Sequence, residues 1–95
     1  MKTTGPENLR DRSIEKSFGQ VLRDLRQDRQ MSQESLGFKS GYHRTYISLL
    51  ERGLKSPSLN TIFQLARVLQ VEPCELVKHV QEMVKQRVAK GKGTR

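Results

Sequence analysis

The chain has 95 residues, 18 Lys and Arg against 10 Asp and Glu, a net charge of +8, and 34% hydrophobic residues. That length holds one small domain of marginal stability, which association with a second copy would strengthen. No apolar run of ~18 residues is present to cross a membrane, the opening MKTTGPENLRDR lacks the apolar stretch of a signal peptide, and a lone Cys74 excludes an internal disulfide or a paired-cysteine zinc site, so a reducing, cytoplasmic location is expected. The charge is unevenly placed: residues 1–16 sum to +1, residues 17–84 to +2, and residues 85–95 to +5. The middle is nearly balanced, as a folded domain usually is. Residues 1–12, with Gly5-Pro6, read as a flexible arm, and residues 89–95, with Gly91 and Gly93, read as a disordered basic tail.

Residues 13–88 read as helices only. Phe18, Val21, Leu22 and Leu25 recur at i, i+3, i+4 and i+7, which predicts an amphipathic helix starting between Ser13 and Ser17 and running to about Arg29. Ser17 with Gln20 matches a capping box, while Ile14 continues the apolar stripe backward. Ser32 predicts the N-cap of a short second helix, Gln33 to Lys39, ended by Gly41. A third helix follows from about His43 to Arg52, with Ile47 and Leu50 inward and Gly53 as its stop. A link of three or four residues containing glycine between two helices is the signature of a helix-turn-helix. Ser58 caps a fourth helix with the stripe Leu59, Ile62, Leu65, Ala66 and Leu69, and Gln70 turns the chain. Pro73 opens a fifth, where its missing N–H costs nothing, carrying Leu76, Val77, Val80, Met83, Val84 and Val88. The fold class is all-α, with five helices.

The segment SQESLGFKSGYHRTYISLLERGLKSPSLNTIFQLARVLQVEPCEL resembles the phage-repressor and Cro-like (Xre-type) helix-turn-helix family over roughly residues 17–78. Ser32-Gln33-Glu34, Gly41, Ile47-Ser48, Glu51-Arg52-Gly53 and Pro57-Ser58-Leu59 carry the resemblance together and in order. Within the family, Arg44-Thr45-Tyr46-Ile47-Ser48 is similar to the controller proteins of restriction–modification systems. The resemblance implies a regulator that binds a double-stranded DNA operator as a homodimer, with the third helix in the major groove.

Elementary chemistry agrees with that implication. With Ile47 and Leu50 inward, Arg44, Thr45 and Ser48 face outward, where Arg44 can bond guanine O6 and N7 in a pair worth ~1–3 kcal/mol of discrimination. Thr45 offers a hydroxyl or a methyl group. Tyr46 has two readings: packing on the domain, or reaching DNA with its hydroxyl. Backbone contacts are expected from Gln33 at the positive end of the second helix, His43 at the cap of the third, Arg52, Lys55 and Ser56 in the loop, and Asn60 and Thr61 at the start of the fourth. Arg44 and Gln33 also have a plainer reading as ordinary solvated residues, but the motif context favours DNA contact for both. Glu51 reads as a structural partner bonded back to the first or second helix. Phe38, on what should be a wet face, is expected to pack partly against Tyr42. Cys74 is expected to be an inert, half-buried thiol, and His79 a surface residue.

The fifth helix is the expected dimer interface, through Leu76, Val77, Val80, Met83 and Val84. No catalytic constellation, phosphate loop, metal-ligand cluster or small-molecule pocket is evident, so no enzyme activity and no cofactor are expected. The competing reading is an antitoxin or adaptor of the same fold that acts through protein–protein contacts.

Overall fold

The structure, a computed structural model, describes residues 12–93, with side chains through Val88. It contains five helices: α1 Ser13–Asp28, α2 Gln33–Ser40, α3 Arg44–Glu51, α4 Leu59–Leu69 and α5 Pro73–Gly93. Phe18, Val21 and Leu22 of α1, Leu36 of α2, Ile47 and Leu50 of α3, Leu65, Ala66 and Leu69 of α4, and Leu76 and Val80 of α5 form one core. Helix α1 is the central strut. It packs against α3 and α5, α2 packs against α3 and α4, and α4 against α5.

Sequence dictates where the helices stop. After each of α1 to α4 the chain turns through a residue of positive φ, namely Gln30, Gly41, Gly53 and Gln70. In each case the next N–H reaches five residues back: Met31 to Arg26, Tyr42 to Gly37, Leu54 to Leu49, Val71 to Ala66. This is the Schellman closure, which satisfies carbonyls that the helix end leaves open. The turn foreseen at Gln70 is one of these. Ser32 and Ser58 cap α2 and α4 by accepting the N–H groups of Ser35 and Thr61. One close crossing depends on a missing side chain. At Gly19 a Cβ would lie 2.5 Å from the carbonyl oxygens of both Leu50 and Glu51, so α1 reaches the end of α3 only through glycine.

Several expectations need correction. Ser17 does not cap α1. The helix begins at Ser13 behind Arg12, and Ser17 is fully buried one turn inside it, because the apolar stripe around Phe18 extends backward through that position. Leu59 does not join the α4 stripe; it lies in the first turn and is 70% exposed. Phe38 does not pack on Tyr42 but stands 87% exposed, because Leu36, Gly37 and Ser40 take the buried side of α2. Cys74 is exposed rather than half-buried. The tail expected from residue 89 is helical through Gly93, since Ala89 and Lys90 are good helix formers and extend α5 past Val88. The expected arm over residues 1–11 and the last two residues lie outside the described residues.

The α5 expectation divides in two. Leu76 and Val80 are buried in this chain's own core, against α1 and α4, and cannot also contact a second copy. Met83 and Val84 are half-buried at the core's edge, and Val77 remains outside it, 46% exposed.

Candidate nucleic-acid interface

Gly41, Tyr42 and His43 join α2 to α3. His43 is the N-cap of α3, its Nδ1 accepting the Thr45 N–H at 3.1 Å. The expected start at His43 and end at Arg52 are thus cap positions, with the helix proper between them. Ile47 and Leu50 face the core, Arg44 and Thr45 are exposed, and Ser48 and Leu49 are half-buried. Arg44 and Thr45, at the start of α3, and Ser48, one turn on, therefore share the solvent side of a helix set on the surface by a tight turn. That is the geometry of a helix that enters a major groove.

Two buried polar clusters fix this helix. The first is at its C-terminal end. The Glu51 carboxylate is fully buried and accepts Arg26 Nε at 2.6 Å, Arg26 Nη2 at 3.0 Å and Gln33 Nε2 at 2.9 Å. Arg23 Nε stands 3.7 Å away. Arg26 also donates Nη1 to the Met31 carbonyl at 2.7 Å. A planar guanidinium matched to a carboxylate by two N–H bonds is the strong form of an ion pair. Here it bolts α1, α2 and α3 together, as the structural reading of Glu51 anticipates. Gln33 keeps a second amide hydrogen free beside the open first-turn N–H groups of α2.

The second cluster surrounds Thr61. Its hydroxyl meets Tyr42 Oη at 3.1 Å, Tyr46 Oη at 3.2 Å and Ser58 Oγ at 3.0 Å. One hydroxyl has one hydrogen and two lone pairs, so three partners saturate it. Its N–H is already given to Ser58 Oγ. Thr61 is buried and has nothing left for a phosphate, and that expectation is withdrawn. Tyr46 resolves toward packing: its hydroxyl is held by Thr61 and its ring lies 5.1 Å from that of Tyr42. The tyrosine pair and Thr61 tie the turn and α3 to the start of α4.

Exposed cations and polar groups border α3. Arg52, Lys55, Ser56 and Asn60 are all exposed, and among the described residues Arg44, Arg52 and Lys55 have no ion-pair partner. Sequence reasoning missed Arg26 and Tyr42. The spacing of Tyr42 and Tyr46, four residues apart, was the available signal for the second; nothing local marks Arg26 as the partner of a residue 25 positions away. Among the described residues no cluster of His, Cys, Asp or Glu could hold a metal ion, and no helix is long and apolar enough to cross a membrane.

Comparison with known proteins places this arrangement. The helix-turn-helix family model matches residues 22–76, more than half of the chain. The chain belongs to this family, in its Xre-type branch, and is a helix-turn-helix transcriptional regulator. Its relatives narrow the group. It is 44% identical to the control protein C.BamHI of Bacillus amyloliquefaciens over 61 residues, 63% of this chain and 75% of that one. The restriction-modification controller protein C.AhdI of Aeromonas hydrophila is 48% identical, with a TM-score of 0.63 over 64% of this chain and 92% of that one. The clp gene regulator ClgR of Corynebacterium glutamicum shares the fold, with a TM-score of 0.81 over 86% of this chain and 87% of that one, at 22% identity.

Proposed function

We propose that the chain is a controller-type regulator of a restriction–modification system that binds a two-fold symmetric operator as a homodimer. The observation that carries the reading is the exposed, unpaired Arg44 and Thr45 at the start of a helix held rigidly by the Glu51 and Thr61 clusters. Arg44, Thr45 and Ser48 read base edges. Gln33, His43, Arg52, Lys55, Ser56 and Asn60 hold phosphates on either side and set register without reading sequence. Tyr46 supports α3 from behind. The likeness to control proteins supports this reading over the antitoxin alternative.

The dimer surface shifts from the α5 core stripe to its flank. Leu59 and Phe63, one turn apart on α4, are 70% and 55% exposed, and Val77 on α5 is 46% exposed. At about 100° per residue, Val77, Val84 and Val88 lie on one flank of α5, beside the Leu76–Val80 stripe. A second copy seated there covers these apolar side chains in an isologous contact. The deciding experiment is selection of bound sequences from a random DNA pool at moderate salt. A two-fold symmetric site that loses its guanine preference in Arg44→Ala is expected. No enrichment overturns the reading.

A further inference from the structure

The charge of this chain has a second irregularity, on the side remote from α3. A groove of about 360 Å³ runs between α1 and α5, with Val21, Leu25 and Met83 on its floor and Asp24, Asp28 and Glu82 on its rim. Three of the ten acidic residues of a +8 chain therefore converge on one apolar hollow. Asp24 accepts Gln20 Nε2 at 2.9 Å; among the described residues Asp28 and Glu82 have no partner. Asp24 and Asp28 also lie in the last two turns of α1, where the helix dipole disfavours anions. Apart from the Gln20–Asp24 bond, the fold gains nothing local from them. A smaller hollow shares Met83 and Gln86 and continues the groove to Gln20 and Arg87. Gln20 and Arg87 line one end and Asp28 and His79 the other, so the helices are antiparallel along a groove of about 12 Å, two helical turns.

We infer that this groove is a docking site for a cationic amphipathic segment of a partner protein, about two helical turns long. Apolar side chains of the segment fill the floor, and its Lys or Arg side chains meet Asp24, Asp28 and Glu82. Charge complementarity selects this occupant. Three carboxylates disfavour a phosphate backbone along most of the groove, Arg87 being the one cation at its Gln20 end. A second copy is seated elsewhere: His79 and Gln86 lie roughly half a turn around α5 from Val77, so a dimer through the Val77 flank leaves the groove open. That last step rests on the dimer proposed above; the groove itself does not. The regulator thus carries one face for DNA, one for its own copy and one for a basic protein segment.

The test uses the full chain and a synthetic 14-residue helical peptide with Leu at i, i+4 and i+7 flanked by Lys and Arg, titrated by ¹H–¹⁵N correlation spectroscopy. The expected result is saturable shifts confined to residues 20–28 and 79–87. Because the whole chain is +8, non-specific attraction works against a cationic peptide, so localised binding is informative. Asp24→Asn/Asp28→Asn/Glu82→Gln should bind about tenfold more weakly, the sum of three exposed charge pairs. Asp28→Lys supplies an independent check, since a cation suits that helix end: the variant should melt at or above the wild-type temperature while binding the peptide several-fold more weakly. No saturable shift, equal binding by the triple variant, equal binding of a charge-reversed Glu peptide, or shifts centred on Phe63 and Val77 overturns the proposal. So does loss of the dimer in the triple variant on sedimentation, which would give the groove to a second copy. Retained enrichment of DNA by the triple variant keeps the two readings separate.

Discussion

The Arg26–Glu51 pair gives the sharpest test of how α3 is held. The Glu51 side chain is fully buried and that of Arg26 is only 11% exposed. Arg26→Met removes both charge-assisted bonds to the carboxylate and the bond to the Met31 carbonyl, and strands a buried anion beside Gln33 and the more distant Arg23. Stranding one member of such a pair costs about 3–5 kcal/mol. The surviving partners place the cost near the low end, about 3 kcal/mol. For a domain of this size that is a fall in Tm of roughly 12–24 °C, or about 3 M in the urea midpoint at a slope near 1 kcal/mol/M. Glu51→Gln keeps the shape and loses the charge, and should cost about 1.5–3 kcal/mol, the worth of a hydrogen bond to a charged group. The assay is urea unfolding followed by far-UV circular dichroism, at one fixed protein concentration because a dimer links stability to concentration. The double variant should be less destabilised than the sum of the singles by at least about 1 kcal/mol, as contacting residues couple. A loss below ~1 kcal/mol for Arg26→Met, or additivity within ~0.5 kcal/mol, refutes the claim that this pair clamps the helix.

Four further outcomes follow from particular contacts. Gly19→Ala should lose about 1–3 kcal/mol in the same unfolding assay, because its Cβ would meet two carbonyl oxygens at 2.5 Å and the α1–α3 crossing must open. Gln70→Gly should gain about 0.5–1 kcal/mol, since φ of 61° strains any residue with a Cβ more than it strains glycine. Thr61→Val should cost about 1–2 kcal/mol by unpairing Tyr42 and Tyr46, and should weaken operator binding in a gel-shift assay although Thr61 is buried within the fold. Deleting residues 89–95, with Lys90, Lys92 and Arg95, should leave the selected DNA sequence unchanged and flatten the slope of log affinity against log salt by up to ~2.7; an unchanged slope makes those charges bystanders to binding.

The legible parts of this fold were those that local chemistry decides. Ser32 and Ser58 have little choice but to cap, Gly41 and Gly53 suit the left-handed turn, and the spacing of Ile47 and Leu50 fixes which side of α3 is outward. Errors arose where a residue's fate depends on a distant element. Ser17 carries the composition of a cap, yet sits on the stripe that α5 and α3 cover. Leu76 and Val80 have the pattern of an exposed seam, but α1 and α4 had already claimed them. Thr61 looks like a first-turn phosphate ligand until two tyrosines from the preceding helix-turn-helix segment arrive at its hydroxyl. Periodicity says which side of a helix is apolar. It does not say which neighbour covers that side.

The net charge illustrates the same point at the level of function. Residues 17–84 carry only +2, and the four further cations of α5 from Lys85 to Lys92 lie beyond the helix-turn-helix, so binding of that segment to an anionic duplex does not depend on a bulk field of its own. It depends on where unpaired charges stand. Among the described residues Arg44, Arg52 and Lys55 are free at the helix-turn-helix face, whereas Arg26 is consumed by Glu51 and Arg29 donates Nε to the Leu69 carbonyl at 2.6 Å. Arg26 and Arg29 are thus spent on holding the scaffold, and the cations around α3 are left available to a ligand. The same sorting puts unpaired acids on the far side, along the α1–α5 groove. A molecule with this separation orients as it approaches DNA, cationic face inward, because the field of a few unscreened charges acts over about a Debye length before any base is read. On the proposed reading rigidity then supplies specificity: with Glu51 fixing one end of α3 and Thr61 its flank, the backbone that carries Arg44 needs no ordering when DNA binds.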